Sequence, residues 1–196
     1  MLKAALIGDS LAYGTGDESG GGIAGYLEHE LPIETRNLAA SGAQTADLTR
    51  KLQQASVRRS LAEVDAIILS IGANDLFRAP GAREQTLRAP LAVAQRILAR
   101  IETIVGELHA INEQARIFIL GGYNPVPNHP LAGLIDQYLG LWDATLASRF
   151  EHNRLVSVVT MSDLVVHGRL SRFDGFHPGS AAYREIAKRI AAMLQD

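Results

Sequence analysis

The sequence predicts an α/β fold in which a parallel β-sheet is covered by helices on both faces. Two observations carry this. Five short apolar runs punctuate the chain, and longer segments of helical periodicity separate them, giving one strand per repeat. Most of the runs are β-branched and unalternating, as suits strands buried on both sides. The 196 residues fit a single domain, residues 1–196, with a sizeable core.

The first run, Ala4–Ile7, leads into Gly8-Asp9-Ser10, and the Gly-rich piece from Gly14 to Gly22 reads as a loop within the domain. The second, Ile33–Leu38, precedes Ala40-Ser41-Gly42. The third, Ala66–Ile71, precedes Gly72-Ala73-Asn74-Asp75. Leu87, Leu91, Ala94, Leu98, Ile101, Val105 and Leu108 then recur at helical spacing. The fourth run, Ile117–Leu120, ends at Gly121-Gly122-Tyr123-Asn124. A second helical stripe follows: Leu131, Leu134, Ile135, Tyr138, Trp142, Leu146 and Phe150, its aromatics read as core. After the fifth run, Leu155–Val159, come Asp174-Gly175-Phe176-His177-Pro178 and a last helix, Ala181 to Leu194, with Ile186, Ile190 and Met193 on its apolar stripe.

Composition narrows the function. Apolar residues make up 47% and charged residues 20%, with a net charge of −2, so neither disorder nor a nucleic-acid footprint is expected; the densest basic spot is Arg58-Arg59. With no cysteine, disulfides and thiolate metal sites are excluded. Only Ala4 to Gly8 separate Lys3 from the first acid, too short for a signal-peptide apolar region, and no run approaches a membrane span of about 18 residues. A cytoplasmic location is the expectation. His29, His109, His129, His152 and His167 lack metal-ligand spacing, so no metal is expected; His129 is a candidate for the rim of a pocket. Gly14, Gly16 and Gly20 are spaced one residue too widely for a dinucleotide fingerprint, and no phosphate-loop lysine motif is present. No cofactor is expected.

In doubly wound sheets, ligands bind beyond the carboxyl ends of the strands. Polar and glycine residues collect there, and they supply what attack on an ester carbonyl needs. Ser10 can be the nucleophile and His177 its base. Asp174, three residues before His177, can bond the other ring nitrogen and fix the tautomer. The backbone N–H groups of Ser10 and Gly42 and the side-chain amide of Asn74 can serve as oxyanion donors. Asp9 and Asp75 read as loop-organising carboxylates.

Gly8-Asp9-Ser10-Leu11, Gly42, Gly72-Ala73-Asn74-Asp75 and Asp174-Gly175-Phe176-His177 resemble the four blocks of the SGNH (GDSL-type) hydrolase family, in family order and spanning residues 4 to 179. The resemblance implies a three-layer α/β/α, flavodoxin-like fold with a five-stranded parallel sheet. It also implies metal-free esterase, lipase, thioesterase or deacetylase activity. By position, Ser10 is the nucleophile, Gly42 and Asn74 complete the oxyanion hole, and Asp174 and His177 complete the triad.

The expected reaction is hydrolysis of small carboxylic esters with short to medium acyl chains. Carbohydrate O-deacetylase and acyl thioesterase or lysophospholipase are alternatives on the same fold; a non-catalytic nucleotide- or ligand-binding module is the alternative in another class. An α/β-hydrolase is disfavoured because Gly8-Asp9-Ser10-Leu11-Ala12 lacks the last glycine of the Gly-x-Ser-x-Gly elbow. Asp9, Leu76, Phe77, Tyr123, Asn124 and Phe176 are the candidate pocket residues. Pro80, the loop from Tyr123 to Pro127, Leu164 and Phe173 are further candidate walls.

Overall fold

A computed structural model of the chain describes every residue except Phe77, Ala79, Pro80 and His167, and every side chain but those of Ala82, Arg83 and Leu87. The five apolar runs form five strands: β1 (Leu2–Gly8), β2 (Ile33–Asn37), β3 (Ala66–Ser70), β4 (Arg116–Leu120) and β5 (Val156–Val159). All neighbours pair in parallel, in the order β2-β1-β3-β4-β5. The chain passes from β1 outward to β2 and then crosses to β3 on the other side. The switch point therefore lies between β1 and β3, where Gly8 is in register with Ser70.

Period-2 alternation divides the sheet's side chains between two cores. Ala4, Leu6, Ile68, Phe118 and Leu120 pack under α1 (Ser10–Tyr13), α2 (Gly22–Glu30) and α8 (Ser180–Gln195). Ala5, Ile7, Ile67, Leu69, Ile117 and Ile119 pack under α3 (Thr45–Leu52), α4 (Ala55–Ala62), α6 (Pro90–Ile111) and α7 (Ala132–Phe150). The three-layer α/β/α sandwich expected from the sequence is the one observed. Among the described residues, no helix is long and apolar enough to cross a membrane.

Three sequence expectations need correction. The run at Ile33–Leu38 is not covered on both faces: β2 is an edge strand whose Glu34, Thr35 and Arg36 are half-buried, and Thr35 is tied to Glu28. The stripe beginning at Leu87 is not one helix. It breaks at Ala89 between α5 (Ala82–Arg88) and α6, where Pro90 takes the first helical position, and Leu91 is exposed. In α7, Leu131, Leu134 and Tyr138 face solvent; the buried side is Asp143 and Leu146, with Trp142 and Phe150 partly covered.

Candidate active site

β1 ends in a turn that delivers Ser10 to the first position of a short helix. Asp9 is the N-cap of α1, its carboxylate accepting the Leu11 N–H at 3.1 Å and the Ser70 hydroxyl at 2.6 Å. Gly8 makes this possible. Its φ is +123°, and a Cβ there would lie 1.8 Å from the Ser70 carbonyl oxygen, so only glycine lets β1 and β3 approach so closely. Asp9 is 4% exposed, and burial pushes its carboxyl up to about 6 against those two bonds.

His177 lies in the loop before α8, and its Nε2 is 3.0 Å from Ser10 Oγ. Its Nδ1 is 2.6 Å from Asp174 Oδ2, while Asp174 Oδ1 accepts the Phe176 and His177 N–H groups at 2.9 and 3.0 Å. Burial opposes the charge on Asp174, but the bonds from His177 and the two N–H groups outweigh it, and the carboxyl sits below its ordinary range. With a proton on Nδ1, Nε2 is the acceptor for the Ser10 hydroxyl. The structure thus brings Ser10, His177 and Asp174 into one hydrogen-bonded chain.

The three expected oxyanion donors ring the same strand ends. Ser10 N–H, at the start of α1, has no intrahelical acceptor, and Gly42 N–H makes no bond to another described residue. Asn74 lies in a 3-10 turn (Ala73–Leu76) after β3; its Nδ2 donates to the Ala43 carbonyl at 3.0 Å, which ties the loops after β2 and β3 and leaves the second amide proton free. Arg78 also bears on this edge. A Cβ on Gly42 would meet its Nη1 at 1.8 Å, so a guanidinium covers the face that the missing side chain leaves open.

The expected pocket residues are only partly brought there. Phe176, 45% exposed, stands edge-on to the His177 ring at 5.3 Å, and Phe173 is 73% exposed on the same loop. Tyr123 donates its hydroxyl to the Phe176 carbonyl at 3.2 Å, and burial and the Asp9 charge push its phenol up. Asn124 is a correction: it is buried and bonds Ala132, Asp136 and Val126, so it builds its own loop and lines no pocket. Leu76 and Leu164 turn toward the two cores, and Asp9 is enclosed. His129 folds back onto the Leu131 N–H. Phe77, Pro80 and His167 lie outside the described residues. Among the described residues, no three His, Asp or Glu groups converge as metal ligands.

Sequence reasoning missed the brace beneath His177. Asp17 accepts the Gly22 N–H at 2.6 Å and the Ser180 hydroxyl at 2.6 Å. Glu18 accepts the Arg172 and Ser180 N–H groups at 2.9 and 2.7 Å, which draw its carboxyl down to about 2. Gly16, between them and Ser10, packs against His177 so tightly that a Cβ would lie 2.6 Å from the His177 Cβ. The available signal was an acid a few residues before a helix start, the usual place for a carboxylate on unpaired N–H groups.

A hydrogen-bonded serine, imidazole and carboxylate thus lie at the carboxyl edge of a doubly wound sheet. The sequence profile of the GDSL-like lipase/acylhydrolase family matches residues 6–185, and the chain belongs to that family. The chain is 28% identical to the uncharacterized protein YpmR of Bacillus subtilis (strain 168), over 95% of its own length and 78% of that protein's. Similar solved structures include a lipase from a goat rumen metagenome, at a TM-score of 0.80 and 20% identity, covering 98% of this chain and 97% of the other. An acetylxylan esterase from Geobacillus stearothermophilus gives 0.67 and 18%, covering 100% and 94%. A lipolytic G-D-S-L family protein from Veillonella parvula gives 0.66 and 15%, covering 100% and 99%. At these identities the solved structures share the fold.

Proposed function

We propose that the protein is a serine esterase that cleaves carboxylic esters of short to medium acyl chains through an acyl-enzyme. The observation that carries this is the continuous chain from Ser10 Oγ through His177 to Asp174, at 3.0 and 2.6 Å. His177 Nε2 takes the hydroxyl proton as Oγ attacks the carbonyl carbon, and Asp174 stabilises the imidazolium. The oxyanion is held by Ser10 N–H, Gly42 N–H and the free Asn74 amide proton. Collapse expels the alcohol, which takes the proton from His177. Water, deprotonated by the same imidazole, then releases the acid and restores Ser10.

The test is Ser10→Ala assayed on p-nitrophenyl acetate and butyrate. Turnover falls by about 10³-fold or more while the far-ultraviolet circular dichroism is unchanged. Wild-type turnover in that variant would end the proposal. A second reading, removal of acetyl groups from carbohydrate, is favoured by the exposed aromatic faces of Phe173 and Phe176 beside His177. A series of p-nitrophenyl esters run against an acyl thioester and an acetylated xyloside separates the two by kcat/KM.

A further inference from the structure

We infer that Arg78 makes the protein selective for esters that carry a second, anionic group, a carboxylate or a phosphate, a few bonds from the carbonyl under attack. This rests on the esterase reading above. Arg78 stands one turn beyond Asn74, its backbone N–H donating to the Asn74 carbonyl at 3.0 Å. The same carbonyl accepts from Gln44 Nε2 at 3.3 Å, while Asn74 Nδ2 donates to the Ala43 carbonyl. The loops after β2 and β3 are thus laced together at the base of Arg78, and its side chain runs back across the lacing to Gly42. There the guanidinium takes the space of a side chain: a Cβ on Gly42 would lie 1.8 Å from Nη1 and 2.9 Å from Cζ. Standard bond lengths then put Nη1 within about 3.5 Å of the Gly42 Cα and about 5 Å of the Gly42 nitrogen, one of the proposed oxyanion donors.

Nothing within the chain uses this charge. Among the described residues, no carboxylate pairs with Arg78 and no acceptor takes its guanidinium protons. The acids on adjoining elements are committed elsewhere: Asp47 to Arg50, Asp75 to Arg100 and Glu84 to Arg88. Arg78 is exposed, so water screens it, and its field on an oxyanion up to about 8 Å away is worth no more than about a few-fold in rate. Direct contact is a stronger use. The planar fork fits a carboxylate or phosphate through two parallel hydrogen bonds. With the ester oxygen held at Gly42 and Asn74, an anion a few bonds along the substrate reaches the guanidinium. An alkyl chain in the same place finds only a charge that it must desolvate.

The test is kcat/KM, followed by pH-stat, on two matched pairs. Monoethyl succinate against ethyl butyrate puts the anion on the acyl side; 1-acetylglycerol 3-phosphate against 1-acetylglycerol puts it on the alcohol side. The wild type favours the anionic member of one pair by about tenfold or more, chiefly through KM, and Arg78→Gln brings that ratio to about one. Arg78→Lys keeps part of the preference, because a point charge replaces the fork. A wild type that favours neither anionic member overturns the proposal. So does a preference that survives Arg78→Gln, or a loss in that variant equal on both members of the pair. A chain that hydrolyses none of the four fails as an esterase. Calorimetric titration of Ser10→Ala with the two anionic esters then still decides the anion site, which stands only if adding Arg78→Gln weakens binding of one of them about tenfold.

Discussion

Replacing Asp9 with asparagine separates the charge of this carboxyl from its hydrogen bonds. Asp9 is 4% exposed, and its carboxyl lies at about 6 instead of 3.8 because burial penalises the anion. Such a displacement corresponds to about 3 kcal/mol. The sign follows from proton counting. Between pH 4 and 6 the folded chain holds a proton on Asp9 that the unfolded chain has released. Stability from this group is therefore complete below pH 4 and is lost as the pH rises through 6. Asparagine Oδ1 can still accept from Ser70 and from Leu11, while no charge appears at neutral pH. Urea unfolding of both proteins at intervals from pH 4 to 8 should show Asp9→Asn near wild type at pH 4. Its advantage should grow to about 2–3 kcal/mol by pH 7.5. A variant less stable than wild type at pH 7.5 would show that the Ser70 and Leu11 bonds to the anion outweigh its burial, and an advantage independent of pH would show that the Asp9 charge is not its source.

Two further substitutions test how the site is held. Asn74→Ala removes both the tie to Ala43 and the proposed oxyanion donor; kcat should fall about 10²–10³-fold with little change in KM, and a loss below tenfold assigns that role to another group. Gly16→Ala places a methyl 2.6 Å from the His177 Cβ and 2.9 Å from the Pro178 carbonyl oxygen at a φ of +94°. It should cost about 1–3 kcal/mol in thermal unfolding and at least tenfold in kcat, because the Ser10–His177 bond must lengthen; an unchanged kcat refutes the coupling.

The strands were legible because residues buried on both faces leave uninterrupted apolar runs, and all five were found within two residues of their ends. β2 was misjudged because position at a sheet edge is a tertiary property, absent from the local pattern. In α7 the sequence carries two apolar stripes, one through Ile135, Trp142 and Leu146 and one through Leu131, Leu134, Tyr138 and Leu141. Periodicity alone does not say which of them meets the sheet. Ser10, His177, Asp174 and Asn74 were legible because each sits in a short motif at the end of a strand or before the last helix. The pocket walls were less so: Asn124 and Leu76 lie beside the right strand ends, but loop backbone geometry turns one into its own loop and the other into the core.

The loops around the site are fixed chiefly by carboxylates that take no part in the proposed bond-breaking. Parallel strands ending in loops leave backbone N–H groups without ladder partners, and several of these near the site are met by an acid: Leu11 by Asp9, Gly22 by Asp17, Arg172 and Ser180 by Glu18, Thr45 by Asp75, Gly122 by Asp143. Asp75 is tied in turn to Arg100 at 3.0 Å. These acids fall into two sets. Glu18, Asp17 and Asp174 lie below the ordinary carboxyl range, so the loop bearing His177 keeps its brace as the pH falls through 5. Asp9 and Asp143 lie above it, because burial outweighs their bonds, and they protonate first. Acidification therefore neutralises the carboxyls beside Ser10 and under the loop after β4 before it reaches the carboxylates of Asp17, Glu18 and Asp174. Ser10 and His177, though bonded to each other, stand on supports whose carboxyls protonate in different pH ranges.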